Sequence, residues 1–224
     1  MNNLGENLLR YKNKQKYLTF DWETCNLSLL PANNRGWQLG TLRHEGTTFI
    51  EKREDWLLWD DLMEYMSAGA AFITKFNIDE YKRRAKDPKP ILERFEKGLY
   101  DPDTISITAN GFGFDMYLNQ ISRNLLNKQT DWSFCKNLVC IQNLHKAIEL
   151  GMTPPKIGTN EWVGFNIKAY SFHKRTFKTN VKYLCGVYDV EYMAERHHVE
   201  SLYDADLTFQ IFKKMLWRLD LEKI

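Results

Sequence analysis

Apolar and polar positions along the chain follow two periods, and the switches between them lay out the elements. Tyr17, Leu18, Thr19 and Phe20 predict a first strand over 17–22. Trp37–Leu42 and Gly46–Lys52 predict two more, paired as an antiparallel hairpin around the turn-like Arg43-His44-Glu45. From Trp56 to Met66 the residues Trp56, Trp59, Leu62, Met63 and Met66 recur at helical spacing, and Gly69 ends that helix. A charged stretch over 79–97 is broken at Asp87-Pro88-Lys89-Pro90, which predicts two short helices or a helix and a loop. Thr104–Thr108 reads as a buried strand, Asp115–Leu126 as a helix, Asn137–Cys140 as a strand, and Gln142–Leu150 as a helix closed by Gly151, Pro154 and Pro155. Residues 158–178 carry no periodic signal. A helix or its approach starts at Val181–Cys185, and the last helix runs from about Glu200 to Trp217. Strands first, then strands alternating with helices, predict an α/β fold with a mixed sheet flanked by helices.

Composition adds boundaries. The 224 residues contain no Pro/Gly/Ser-rich linker, so one domain over 1–224 is expected, with 1–16 as a basic N-terminal arm and about 79–100 as a charged helical insertion. Hydrophobic residues at 43% and charged residues at 27% exclude a disordered chain. A formal charge of +2 means that a nucleic-acid partner would be held by local Lys/Arg clusters or metal ions and not by a bulk field. No stretch approaches the roughly 20 apolar residues of a membrane span, which predicts a cytoplasmic protein without a membrane partner. Cys25, Cys135, Cys140 and Cys185 lack CxxC or zinc-ligand spacing and read as reduced, buried thiols.

The acids carry the candidate chemistry. Asp21 and Glu23 stand two apart at the end of the first strand, on one face, while Trp22 points into the opposite layer. Asp115 enters a helix after the strand Thr104–Thr108, and Asp204 lies one turn into the last helix. Burying several carboxylates together is prohibitive unless cations neutralise them, and hard divalent ions such as Mg²⁺ or Mn²⁺ favour an oxygen-only environment. A convergent acid set therefore predicts metal.

These residues resemble a known family. Asp21-Trp22-Glu23-Thr24-Cys25-Asn26-Leu27 is similar to the first motif, D-x-E-T-x-G-L, of the DnaQ-like (DEDDh) 3′-to-5′ exonucleases of the ribonuclease H-like superfamily. Asn110-Gly111-Phe112-Gly113-Phe114-Asp115 resembles their second motif, and Leu202-Tyr203-Asp204-Ala205 with Thr208 their third. The resemblance spans about residues 17 to 212. It implies hydrolysis of phosphodiesters at 3′ ends of single-stranded DNA or RNA with two divalent cations, Mg²⁺ or Mn²⁺. Carried over by position, Asp21 would bridge both ions, Glu23 and Asp204 would complete one site, and Asp115 would hold the second. Asn26, where the family has Gly, suits a left-handed backbone position.

One position departs from the pattern. The family histidine stands five residues before the third-motif aspartate, where this chain has Val199; His198 is six before and His197 seven before. On a continuous helix an offset of one residue turns a side chain by about 100°, but from a loop His198 can still reach. His198 is the expected general base and His197 the fallback. The Tyr-x-x-x-Asp form of the third motif finds no match. The displaced histidine also admits another function: a catalytically weakened nuclease-fold module that binds nucleic acid or a protein partner of unknown identity.

Substrate contacts are expected from Trp22, Thr24, Leu27 and Asn110 beside the motifs, with Trp22 and Leu27 able to stack or wedge at the terminal base. Phosphates could meet Lys12, Lys14 and Lys16, or Lys82, Arg83, Arg84 and Lys86, or His173-Lys174-Arg175 with Lys178.

Overall fold

A computed structural model describes residues 14–30, 33–174 and 177–222. Lys12 and Arg175 lie outside the described residues. The elements follow in the order β1 (Lys16–Thr24), β2 (Gly36–Glu45), β3 (Thr48–Trp56), α1 (Leu62–Tyr65), α2 (Ala68–Ile73), α3 (Ile78–Arg84), α4 (Pro88–Leu99), β4 (Thr104–Thr108), α5 (Met116–Leu125), β5 (Leu138–Cys140), α6 (Ile141–Glu149), α7 (Asn160–Ser171), α8 (Val181–Tyr188) and α9 (Ser201–Glu222). The strands form one mixed sheet in the order β3-β2-β1-β4-β5. β1, β2 and β3 pair antiparallel, while β4 runs parallel to β1 and β5 parallel to β4. The expected mixed sheet flanked by helices is the observed architecture.

Alternation along β1 assigns its side chains to two layers. Leu18, Phe20 and Trp22 enter a core with Leu92, Phe95 and Leu99 of α4 and Leu118 of α5. Tyr17 enters the other, with Leu144 of α6, Leu184 of α8 and Leu207, Ile211 and Phe212 of α9. Each such aliphatic or aromatic side chain contributes about 1.5–3 kcal/mol when fully buried. Asp87 caps α4 by accepting from the Lys89 N–H at 2.9 Å, and Pro88 opens its first turn, so the Asp-Pro break begins this helix and separates it from α3.

Three expectations need correction. The helix expected over Trp56–Met66 is only Leu62–Tyr65: Trp56 ends β3, and the Trp59 N–H is held by the Tyr81 hydroxyl at 2.7 Å instead of by its own chain. The hairpin turn lies after Glu45, where Gly46 takes a left-handed φ of 57°, so both strands are longer and β3 starts at Thr48. The stretch without periodic signal contains α7. Its buried residues Trp162, Phe165, Asn166 and Ala169 do fall at helical spacing, but exposed Ile167 and half-exposed Tyr170 blur the pattern. All four cysteines are buried and unpaired. Among the described residues no helix is long and apolar enough to cross a membrane.

Candidate active site

The sheet topology brings the first two motifs together. β1 and β4 are parallel neighbours in the register Thr19↔Ile107, so their carboxyl ends lie side by side. The chain leaving β4 turns at Asn110, whose carbonyl accepts from the N–H groups of Gly113 and Phe114 at 2.9 Å each, and a single π-helical turn over Gly111–Asp115 delivers Asp115 to the head of α5. Gly113 leaves no room for a Cβ, because the Asn110 side chain and the Tyr170 ring of α7 press against it. From the other side α9 lies across β1 and β2 with Asp204 in its first turn.

Carboxylate oxygens of Asp21, Glu23 and Asp204 all lie within 4.8 Å of one another. Asp115 stands outside this trio, yet its charge acts on both Asp21 and Glu23. Burial pushes the Asp21 carboxyl well above the usual range, and Asp204, Asp115 and Glu23 push it further. Glu23 is raised by burial, then by Asp204, Asp115 and Glu54. Burial carries Asp115 up to about 7 against the pull of backbone N–H groups. Glu23 Oε1 is buried and accepts no hydrogen bond within the described residues. A buried carboxylate oxygen without a donor, in an all-oxygen set of acids, fits a hard divalent cation.

The histidines stand in the segment before α9, which starts at Ser201, so neither belongs to the helix. Asp204 grips both: Oδ1 lies 2.7 Å from His197 Nδ1, and Oδ2 accepts the backbone N–H of His198 at 2.8 Å. That second bond holds His198 at a left-handed φ of 61°. Its exposed ring lies against His197, tilted by 36° with centroids 3.6 Å apart, and ring nitrogens of both residues come within 4.8 Å of the Asp204 carboxylate. Burial and the neighbouring His197 lower the His198 pKa, with Asp204 opposing, so its ring is neutral near pH 7 and able to take a proton.

The expected substrate residues separate. Trp22 is only 4% exposed and meets Phe95 edge-on at 6.0 Å in the opposite layer, which removes it from any strand lying at the acids. Thr24 is buried, and its hydroxyl donates to the Asn26 carbonyl at 2.7 Å, shaping the turn after β1. Asn110 is half-buried at the turn described above, and Leu27 is 85% exposed. Asn26 does not take the left-handed conformation expected of it. Its amide donates to the carbonyls of Asn33 and Tyr65 at 2.6 and 3.0 Å, and its Oδ1 accepts from the Ser28 N–H at 2.7 Å.

The basic groups separate too. Lys16 opens β1, about 16 Å along the strand from Asp21 at roughly 3.3 Å per residue, and pairs with Asp101. Arg84 is held by Glu54 and Glu80 and lies over the Trp56 ring. His173 lies edge-on to Tyr170, whose ring also presses on the Gly113 turn.

Sequence reasoning missed α2, a short helix tied at both ends to segments that carry site residues. The Ser67 N–H ahead of α2 donates to Cys25 in the first motif, and Lys75 beyond α2 reaches the Glu195 carbonyl, at 3.4 Å, in the histidine segment. Between these ties α2 buries none of its residues, leaving Phe72 84% and Ile73 55% exposed. An apolar Ala-Phe-Ile run that the fold leaves uncovered was the available signal.

The sequence matches no protein-family model and no curated protein. In three dimensions the chain is similar to Escherichia coli exonuclease I. Against its zinc-bound complex with single-stranded DNA the TM-score is 0.66, at 17% identity over 93% of this chain. The complex with a dT13 oligonucleotide gives 0.66 at 15% identity, and the complex with an SSB C-terminal segment gives 0.64 at 16%. At this identity the likeness is one of fold, and the chain shares the fold of exonuclease I. This chain spans about two fifths of exonuclease I, 41% in the first of these matches.

Proposed function

We propose that the protein is a metal-dependent 3′-to-5′ exonuclease that hydrolyses phosphodiester bonds at the 3′ ends of single-stranded nucleic acid. The observation that carries this reading is the convergence of Asp21, Glu23 and Asp204 within 4.8 Å, with the charge of Asp115 acting on the same spot. Asp21, Glu23, Asp115 and Asp204 would hold two Mg²⁺ or Mn²⁺ ions, which supply Lewis acidity to the attacking water and the departing 3′-oxygen.

The chain's own residues do the rest. His198 accepts the proton of the attacking water on a ring nitrogen, and His197, through Nδ1, orients the Asp204 carboxylate. His197 is the second choice for the base, since its Nδ1 is already engaged. Leu27 and the exposed Phe72 and Ile73 offer sequence-tolerant contact to bases. Asn110 and His173, which lies against the Tyr170 ring beside the Gly113 turn, would flank the substrate strand on the side of the second motif. Single-stranded DNA is the first substrate to test, because the structural neighbours include complexes with DNA oligonucleotides.

A 5′-labelled single strand incubated with Mn²⁺ or Mg²⁺ distinguishes the outcomes. Progressive shortening from the 3′ end, blocked by a 3′-terminal phosphorothioate and absent in Asp21→Asn, is expected. Shortening that persists in Asp21→Asn, or none with either ion on DNA or RNA, contradicts the proposal.

A further inference from the structure

The candidate site depends on how closely the first turn of α9 approaches the sheet, and two residues of β2 that belong to none of the three motifs set that distance. Gly40 pairs with Asp21 and Gln38 with Glu23 across the β1–β2 ladder, so both lie beside the first-motif acids and share a face of β2. A Cβ on Gly40 would fall onto the backbone carbon and oxygen of Ser201 and the nitrogen of Leu202. These are main-chain atoms at the head of the helix that carries Asp204, and no side-chain rotation can clear them. Buried Gln38 presents Oε1 to the Ser201 N–H at 3.5 Å, one of the helix-start donors that lack an intrahelical acceptor. We infer that Gln38 and Gly40 form a seat for the start of α9, and are positioning residues that hold Asp204 at metal-sharing distance from Asp21 and Glu23.

The size of the effect follows from contact distances. A methyl group at Gly40 has to push Ser201 and Leu202 away by about 1 Å to restore carbon contacts of about 3.5 Å. Metal ligands hold their distances to within about 0.2 Å. Such a displacement separates Asp204 from the β1 acids by more than a shared ion tolerates. The same movement carries off the histidine segment, which is tied to Asp204 by two hydrogen bonds.

The inference rests on the acids binding metal as proposed, and the test separates the two. Mn²⁺ binding is measured by loss of the free-ion EPR signal, without nucleic acid, for wild type, Gly40→Ala, Gln38→Met and Leu92→Ala. The last removes a buried side chain from the opposite layer and reports what general destabilisation does. Gly40→Ala is expected to weaken Mn²⁺ binding at least ten-fold, and Gln38→Met a few-fold, while Leu92→Ala stays near wild type. Crystal structures of the two seat variants are expected to show the start of α9 lifted from β2. Folded Gly40→Ala or Gln38→Met with wild-type Mn²⁺ affinity and an unmoved α9 overturns the seat. If wild type binds no Mn²⁺, the metal reading fails, and the position of α9 in the variant crystals still decides whether the seat exists. Should Gly40→Ala not fold, Gln38→Met carries the same decision.

Discussion

Replacing Asp115 by Asn should stabilise the protein when no metal is bound. The Asp115 carboxyl is pushed from its ordinary 3.8 up to about 7, chiefly by burial. Between these two values the folded state holds a proton that the unfolded state has released. Its contribution is therefore fully present below about pH 4 and is lost as the pH rises through about 7. At about 1.4 kcal/mol per pH unit the span sets a ceiling of roughly 4 kcal/mol, and relaxation of the site reduces this to about 1–3 kcal/mol. Asn keeps the shape and cannot ionise, so it removes the penalty. The assay is urea unfolding in EDTA at pH 5 and pH 7.5. Asp115→Asn should exceed wild type by about 1–3 kcal/mol at pH 7.5, a gain of about 2–4 °C in Tm per kcal/mol, and the difference should shrink at pH 5. Adding Mn²⁺ at about 1,000 times its Kd should reverse the order, because it stabilises wild type by about 4.1 kcal/mol, more than the variant's advantage. A variant less stable than wild type at pH 7.5 in EDTA, or a difference independent of pH, refutes the electrostatic reasoning.

Three further outcomes are expected. His198→Ala should lose about 100-fold or more in kcat with single-strand binding retained in a filter assay, whereas a larger loss in His197→Ala would move the base to His197. Phe72→Ala should raise KM about ten-fold on single-stranded DNA, as fits base–aromatic stacking worth about 1–3 kcal/mol, and Leu27→Ala should raise it less, both with kcat nearly unchanged; an unchanged KM in both would place the strand elsewhere. Asn26→Gly, the family residue, should cost about 1–3 kcal/mol in thermal unfolding because it deletes a side chain that serves three backbone partners, while a neutral result would show that these bonds add nothing net to stability.

What the sequence revealed and what it hid divide along physical lines. The strand at Tyr17–Trp22 and the acids on one face of it were legible because alternation acts within a few residues. The direction of Trp22 was legible for the same reason, yet its burial against Phe95 was not, since that depends on α4 arriving from far along the chain. Asn26 shows the limit of carrying a family residue over: a Gly position suggested backbone conformation, and the chain uses the Asn side chain as a hydrogen-bond hub. α7 stayed hidden because its apolar residues extend round to the exposed face. The histidines were ambiguous by one residue because their loop is shaped by Asp204, a contact no spacing rule contains. Gly40 and Gln38 look ordinary in sequence and gain meaning only from the helix that lands on them.

The central claim is that four acids from β1, the turn after β4 and α9 form one divalent-metal centre. Anomalous diffraction from crystals soaked in Mn²⁺ tests it most directly. The account predicts ion peaks ligated by Asp21, Glu23 and Asp204, with a second ion on the side of Asp115, and their loss in Asp21→Asn. Crystals of wild type at millimolar Mn²⁺ that show no peak among these carboxylates would contradict it.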